Sequence, residues 1–309
     1  LDLADVNGDG QPEVVAGSTS GAVLGFDAAG QRLWQADFGA PVRAVAGVAF
    51  AGPGVPGAVV AGGDRDAVCA YAGRDGKALW THAIERYKTA GDVGVLFAAD
   101  LDGNGHQVAV AGSRNWRFHV LDADGRKRWH YESVHPSTAG IAADLTGDGR
   151  QEVLLGTAYY GWHAAKPDGA TLWSYRTLGG PGCNAIAVGD VTGDRVPEVL
   201  FGGQDALVQA ANAAGKALWQ ANTGDEVSGL AVLDADGDGA GEVLAASLSF
   251  NLFCLDGDGR VLWRRDLGSP VRGLAVARRD AGDVLVLGTQ AGRVWLVNPR
   301  QGEVLARHE

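Results

Sequence analysis

The chain is poor in cysteine and lacks methionine: of its 309 residues only Cys69, Cys183 and Cys254 carry sulfur. Three widely spaced thiols cannot make a disulfide framework, so they are expected to be free and buried or half-buried. Long apolar runs are missing too. Nothing approaches the roughly 18 consecutive apolar residues of a membrane-spanning helix, so no membrane insertion is expected. No basic stripe exists, and 37 acidic residues against 26 Lys and Arg leave a formal charge of −11. Nucleic acid, whose phosphates demand such a stripe, is therefore not the expected partner. No signal peptide precedes Leu1, which points to a processed or trimmed chain.

Glycine, by contrast, is abundant at 48 residues, beside 46% hydrophobic content. That mixture excludes a disordered or collagen-like chain and suits many short strands joined by tight turns. The stretch "ADVNGDGQPEVVAG" from Ala4 returns as "ADLDGNGHQVAVAG", "ADLTGDGRQEVLLG", "GDVTGDRVPEVLFG" and "LDADGDGAGEVLAA". Each unit continues into a second apolar segment, a polar turn and a Trp, as in "AVLGFDAAGQRLW" and "LFCLDGDGRVLW". The tryptophans are Trp34, Trp80, Trp129, Trp173, Trp219 and Trp263, spaced 44 to 49 apart. A seventh copy closes the chain with Leu305 in place of Trp, and copies 2 and 7 have lost the acidic loop.

Four strands fit each unit, and strands of this length at a period of about 45 residues define a propeller blade. The predicted fold is all-β, a single domain over 1–309 forming a seven-bladed β-propeller of four-stranded antiparallel blades. The predicted blades are 1–46, 47–96, 97–141, 142–186, 187–230, 231–274 and 275–309. The repeated tryptophans are read as structural, packing between neighbouring blades.

The acidic loops offer oxygen ligands at alternate positions, the chemistry that calcium prefers, with an acid recurring eight positions after the first. The expected ligands are Asp5, Asn7, Asp9 and Glu13; Asp100, Asp102 and Asn104; Asp144, Thr146, Asp148 and Glu152; Asp190, Thr192, Asp194 and Glu198; and Asp234, Asp236, Asp238 and Glu242. The last set is the strongest. The Asp100 loop lacks the downstream acid and the Asp190 loop lacks the turn glycine, having Arg195 there, so both are expected to fill only partly. Several structural Ca2+ ions are the cofactors this implies, with metal binding coupled to folding.

At these loops the sequence resembles FG-GAP/VCBS repeats of the kind found in integrin alpha-chain propellers. The Trp-bearing half is similar to PQQ-like repeats, which occur in quinoprotein dehydrogenases and in non-enzymatic assembly factors. The resemblance implies a propeller and calcium at the positions just named. It does not extend to a quinone site: those dehydrogenases carry adjacent cysteines beside the cofactor and this chain has none, so no PQQ is expected.

Diversity between repeats marks the working face, because loops carry function on a constant frame. The connections of blades 2 to 4 stand out: "GGDRDA", "IERYKTAGD", "SRNWRF", "SVHPST" and "TAYYGWH". The candidate ligand-binding residues are Arg65, Arg86, Tyr87, Lys88, Arg114, Trp116, His135, Tyr159, Tyr160, Trp162 and His163. Aromatic platforms beside cations suit a carbohydrate or a protein. The first reading is a calcium-stabilised binding or interaction module that is secreted, periplasmic or at the cell surface, a monomer or part of a larger chain. Two other readings stand beside it: a lyase-like polysaccharide-processing enzyme using the same loops, with no fixed catalytic motif, and a structural segment of a larger cell-surface protein.

Overall fold

The structure is a computed structural model that describes residues 1–159, 161–176, 181–278 and 282–309. Its regular structure among these residues consists of strands alone, 28 of them in seven antiparallel four-stranded sheets, each taken in chain order. The sheets span 2–37, 42–83, 93–132, 137–176, 183–222, 227–266 and 271–308, the blades of a seven-bladed β-propeller. The chain divides into two compact units, Leu1–Ser174 and Tyr175–Glu309.

The blade limits differ from those drawn on the sequence. Every predicted boundary falls inside a first strand, such as Val42–Val48 or Val93–Ala99. The acidic loop is the most visible landmark of the repeat, but it joins the first and second strands. The passage from one blade to the next lies earlier, just after the Trp strand.

Within each unit, apolar residues fill the spaces between successive blades. In the first unit one core joins Val15, Val23 and Trp34 of blade 1 to Val42, Val59 and Tyr71 of blade 2, and two more lie at the next joints. In the second unit two cores do the same for blades 5 to 7. The second strands are therefore covered on both faces, as in Ala58–Gly63, Val108–Ser113 and Glu198–Gly203. This explains why they read as nearly continuous runs of Val, Leu, Ala and Gly. The three thiols are free and buried, as expected.

Five joints within the two units are fastened by a tryptophan. The indole Nε1 of Trp34 donates to the Gly73 carbonyl at 2.7 Å, and Trp80, Trp129, Trp219 and Trp263 donate in the same way to Ala123, Pro167, Gly257 and Pro299. In each case the acceptor lies in the turn before the fourth strand of the following blade. The glycine of that turn serves the same contact. A Cβ on Gly76, with φ +70°, would stand 2.7 Å from the Trp34 ring, and Gly125, Gly169, Gly259 and Gly302 repeat the arrangement. These glycines supply both the left-handed conformation and the flat surface on which the ring lies.

Candidate functional site

The acidic loops share a frame. In each, the first aspartate accepts backbone N–H groups from residues three and five positions on, as Asp5 does from Gly8 and Gly10 and Asp234 does from Gly237 and Gly239. The downstream glutamate turns back to the loop entry: Glu13, Glu152, Glu198 and Glu242 accept from the amides of Val6, Leu145, Val191 and Ala235. Arg195 holds φ +67° where the other loops have glycine, a strained conformation for a long side chain.

Beyond that frame the loops diverge in what faces their carboxylates. The Asn7 amide nitrogen donates to both Asp9 and Glu13. Asp102 pairs with Arg128 at 2.9 Å, and Asp148 with Arg150 at 2.6 Å. An internal donor thus occupies three of the five loops. The Asp234 loop has no such donor among the described residues, and there alone oxygens of three acids, Asp234, Asp236 and Glu242, lie within 4.8 Å of one another. Burial, and then its neighbours Asp236, Asp238 and Asp234, raises the Glu242 pKa, while burial and neighbouring aspartates do the same at Glu152 and Glu198. At the Asp234 loop, where no ion pair to these acids occurs among the described residues, the crowded carboxylates are a donor set that fits a hard dication, with Arg300 lining the same cavity.

A second assembly lies on the loops of blades 2 to 4. The Lys88 Nζ stands 4.8 Å from the Tyr87 ring centre and 5.8 Å from that of Trp116. Trp116 lies 5.1 Å from His135, which meets Tyr159 edge-on at 5.3 Å. Five of the sequence-predicted residues therefore form one continuous row, with Tyr87 and Tyr159 exposed at its ends. Trp116 sits at φ +74°, at the turn position where blades 1 and 7 have Gly21 and Gly292. Its carbonyl is held by the backbone N–H and hydroxyl of Ser133. Ala206 and Phe250 take the same left-handed backbone at the equivalent turns of blades 5 and 6, so the conformation belongs to the repeat.

Supporting residues escape a sequence reading. Arg117 stacks 3.8 Å over the Tyr87 ring and pairs with Glu85 at 2.6 Å and Glu132 at 3.6 Å. The Tyr87 hydroxyl donates to Glu132, and this bond, with Arg117 behind it, holds the Glu132 carboxyl below its ordinary range. Glu132 lies on a regular fourth strand, where nothing in the sequence marks it. Asn115 is buried and donates to the Glu85 carbonyl, fixing the loop from below.

Other predicted residues lie elsewhere. Arg65 rests over Phe38 at 5.0 Å and donates to its carbonyl. Arg86 is tied to Asp66, whose carboxyl it holds low. Arg114 faces Asp92 at 3.9 Å and lines a separate cavity of about 480 Å³ with Arg43 and Asp64. Trp162 and His163 do not join the row: both are buried in the strand Gly161–Ala165, because the connection ends at Gly161 and that strand is covered on both faces. Tyr160 lies outside the described residues.

Seven four-stranded blades, five of them with a Trp plugged into the next turn, define a β-propeller. The family model described as outer membrane protein assembly factor BamB matches residues 19–205, more than half of the chain. The chain belongs to that family. No curated protein sequence matches it. Among solved structures, the computationally designed Ika8 protein is similar at 19% identity, covering 99% of this chain and 85% of its own, with a TM-score of 0.74. BamB from Moraxella catarrhalis is also 19% identical, covering 100% of this chain and 87% of its own, with a TM-score of 0.71. BBS1N, solved in complex with ARL6DN, is 12% identical over 94% of this chain and 89% of its own, with a TM-score of 0.71. At these identities the likeness speaks for the fold.

Proposed function

We propose that this chain is a protein-interaction propeller whose partner docks on the loops of blades 2 to 4. The observation that carries the reading is the unbroken row Tyr87, Lys88, Trp116, His135 and Tyr159. Aromatic anchors beside a cation are the residue types that dominate binding energy at interfaces. Membership in an assembly-factor family supports a protein as the partner, and a neighbour solved with a bound protein shows that the fold can serve this use. A periplasmic or other extracytosolic location accords with the same family. Binding is favoured over lyase chemistry because two of the loop residues able to carry a proton are taken up elsewhere: the Tyr87 hydroxyl is given to Glu132, and His163 is buried.

Affinity capture from extracts of the native cell tests this. The wild-type chain is expected to retain proteins that the combined variant Lys88→Ala, Trp116→Ala and Tyr159→Ala loses by at least about tenfold, the scale of one or two interface anchors. Equal retention by both would refute the surface. Binding on a glycan array that disappears with the same variant would favour carbohydrate instead.

The Asp234 loop, in the same reading, holds a structural calcium through Asp234, Asp236 and Glu242, with Asp238 beside them. Calcium supplies positive charge to a crowded carboxylate cluster and so stabilises the native loop. At free calcium a hundred times its Kd, one such site would add about 2.7 kcal/mol to stability. EDTA should lower the melting temperature of the calcium-loaded chain by several degrees, Glu242→Gln should remove most of that response, and Asp102→Ala should leave it intact. A melting temperature indifferent to EDTA would count against the ion.

A further inference from the structure

Between blades 2 and 3 lies a group of side chains that neither reading uses. His119, in the third strand of blade 3 (Arg117–Leu121), is 1% exposed, and neither of its ring nitrogens has a hydrogen-bond partner. A buried imidazole with two unanswered nitrogens is costly, and such a group calls for a missing water or ion. Two more imidazoles flank it. His130, directly opposite in the fourth strand of the same blade, has its ring centre 6.0 Å away, and His82, on the fourth strand of blade 2, lies at 6.2 Å. Around them the packing is apolar, with Val68, Ala111, Leu121 and Trp80.

We propose that His82, His119 and His130 bind one first-row transition dication of the zinc class in the joint between blades 2 and 3. Three imidazole nitrogens form a donor set for zinc, copper or nickel and a poor one for calcium, so this site and the acidic loops select different metals. His82 is already oriented. Its Nδ1 lies 2.9 Å from the Gly125 carbonyl, so that nitrogen carries the proton and Nε2 is left with its lone pair, the arrangement found behind most metal-bound histidines. With Zn–N bonds of about 2.0–2.1 Å, two ligand rings stand roughly 5 Å apart, so closing the site needs inward movement of about 1 Å from each flank. The two outer rings have room to supply it, His130 being exposed and His82 half-buried and able to pivot about its bond to the Gly125 carbonyl.

Charge does not oppose the ion. Arg117 and Lys127 lie near the three rings but are paired with Glu85 and Glu132, which balance them. Burial, reinforced by Lys127 and the neighbouring histidines, depresses His119 to about 3, and burial lowers His82 and His130 as well. All three therefore favour the neutral form that a metal requires.

The test is calorimetric titration of the chain with zinc chloride in millimolar calcium, which keeps the oxygen loops filled. One equivalent of zinc should bind. His130→Ala, at an exposed position, and His82→Gln should each weaken it about 10- to 100-fold, the cost of disturbing a ligand sphere. His119→Leu should abolish binding while melting at or above the wild-type temperature, because it removes two orphan polar atoms from an apolar joint. His106→Ala should leave zinc binding unchanged. The proposal fails if the wild type takes up no zinc, or if zinc still binds with wild-type affinity to the His82→Gln, His130→Ala double variant.

Discussion

Trp34→Ala should lower the free energy of unfolding by about 3–5 kcal/mol, the range for truncating a buried aromatic to a methyl. Trp34 is the most buried of the five joint tryptophans described, at 6% exposure, while Trp80, Trp129, Trp219 and Trp263 are half-buried. Three losses coincide at the one position. Its ring fills the core shared with Val42, Val59 and Tyr71, its N–H satisfies the Gly73 carbonyl, and its face covers the turn at Gly76. The alanine variant leaves a cavity and an unanswered acceptor together. Urea unfolding followed by far-ultraviolet circular dichroism measures the loss, and Trp263→Ala should cost clearly less. A loss below about 1 kcal/mol at Trp34, no more than an ordinary surface change, would mean that the joint is not held as described.

Gly257→Ala is expected to cost about 3 kcal/mol, at the upper end of overpacking penalties, because nothing flexible stands in the way. An added Cβ would lie 2.0 Å from the Val191 carbonyl oxygen, so backbone must move against backbone. The same residue carries the carbonyl that receives the Trp219 N–H, so the displacement also spoils that bond. Blade 3 already has a side chain at the equivalent place, Ala123, whose carbonyl accepts from Trp80. Ala123→Gly should therefore be mild. Thermal unfolding distinguishes the two, and a Gly257→Ala melting temperature within about 1 °C of wild type, under about 1 kcal/mol for a chain of this size, would contradict the close approach.

Much of this architecture can be read along the chain. The Trp period and the Asp-rich loops are local signals, and the blades they imply appear in the structure, with limits that fall earlier than the sequence placed them. The joints are another matter. That Gly76 receives Trp34 is a relation between residues 42 positions apart, and a turn glycine looks the same in sequence whether or not an indole rests on it. For the same reason, "TAYYGWH" reads as an aromatic loop although its last two members are buried in a strand. Periodicity cannot tell a loop residue from the first residues of a strand covered on both faces. Among the acidic loops the sequence ranks Asp234 first, and the convergence of its carboxylates accords with that rank. What the letters do not reveal is that Asn7, Arg128 and Arg150 turn inward on the others. His119 was invisible as well, since its partners come from two different blades.

Among the described residues, blades 2, 3 and 6 each carry both a plug and a socket on the same stretch of chain. A tandem copy of such a unit therefore arrives already able to grip both neighbours, and copy number can change by gene duplication without a new complementary surface having to arise. The polarity of the fastening also forbids a reversed unit, which would set plug against plug.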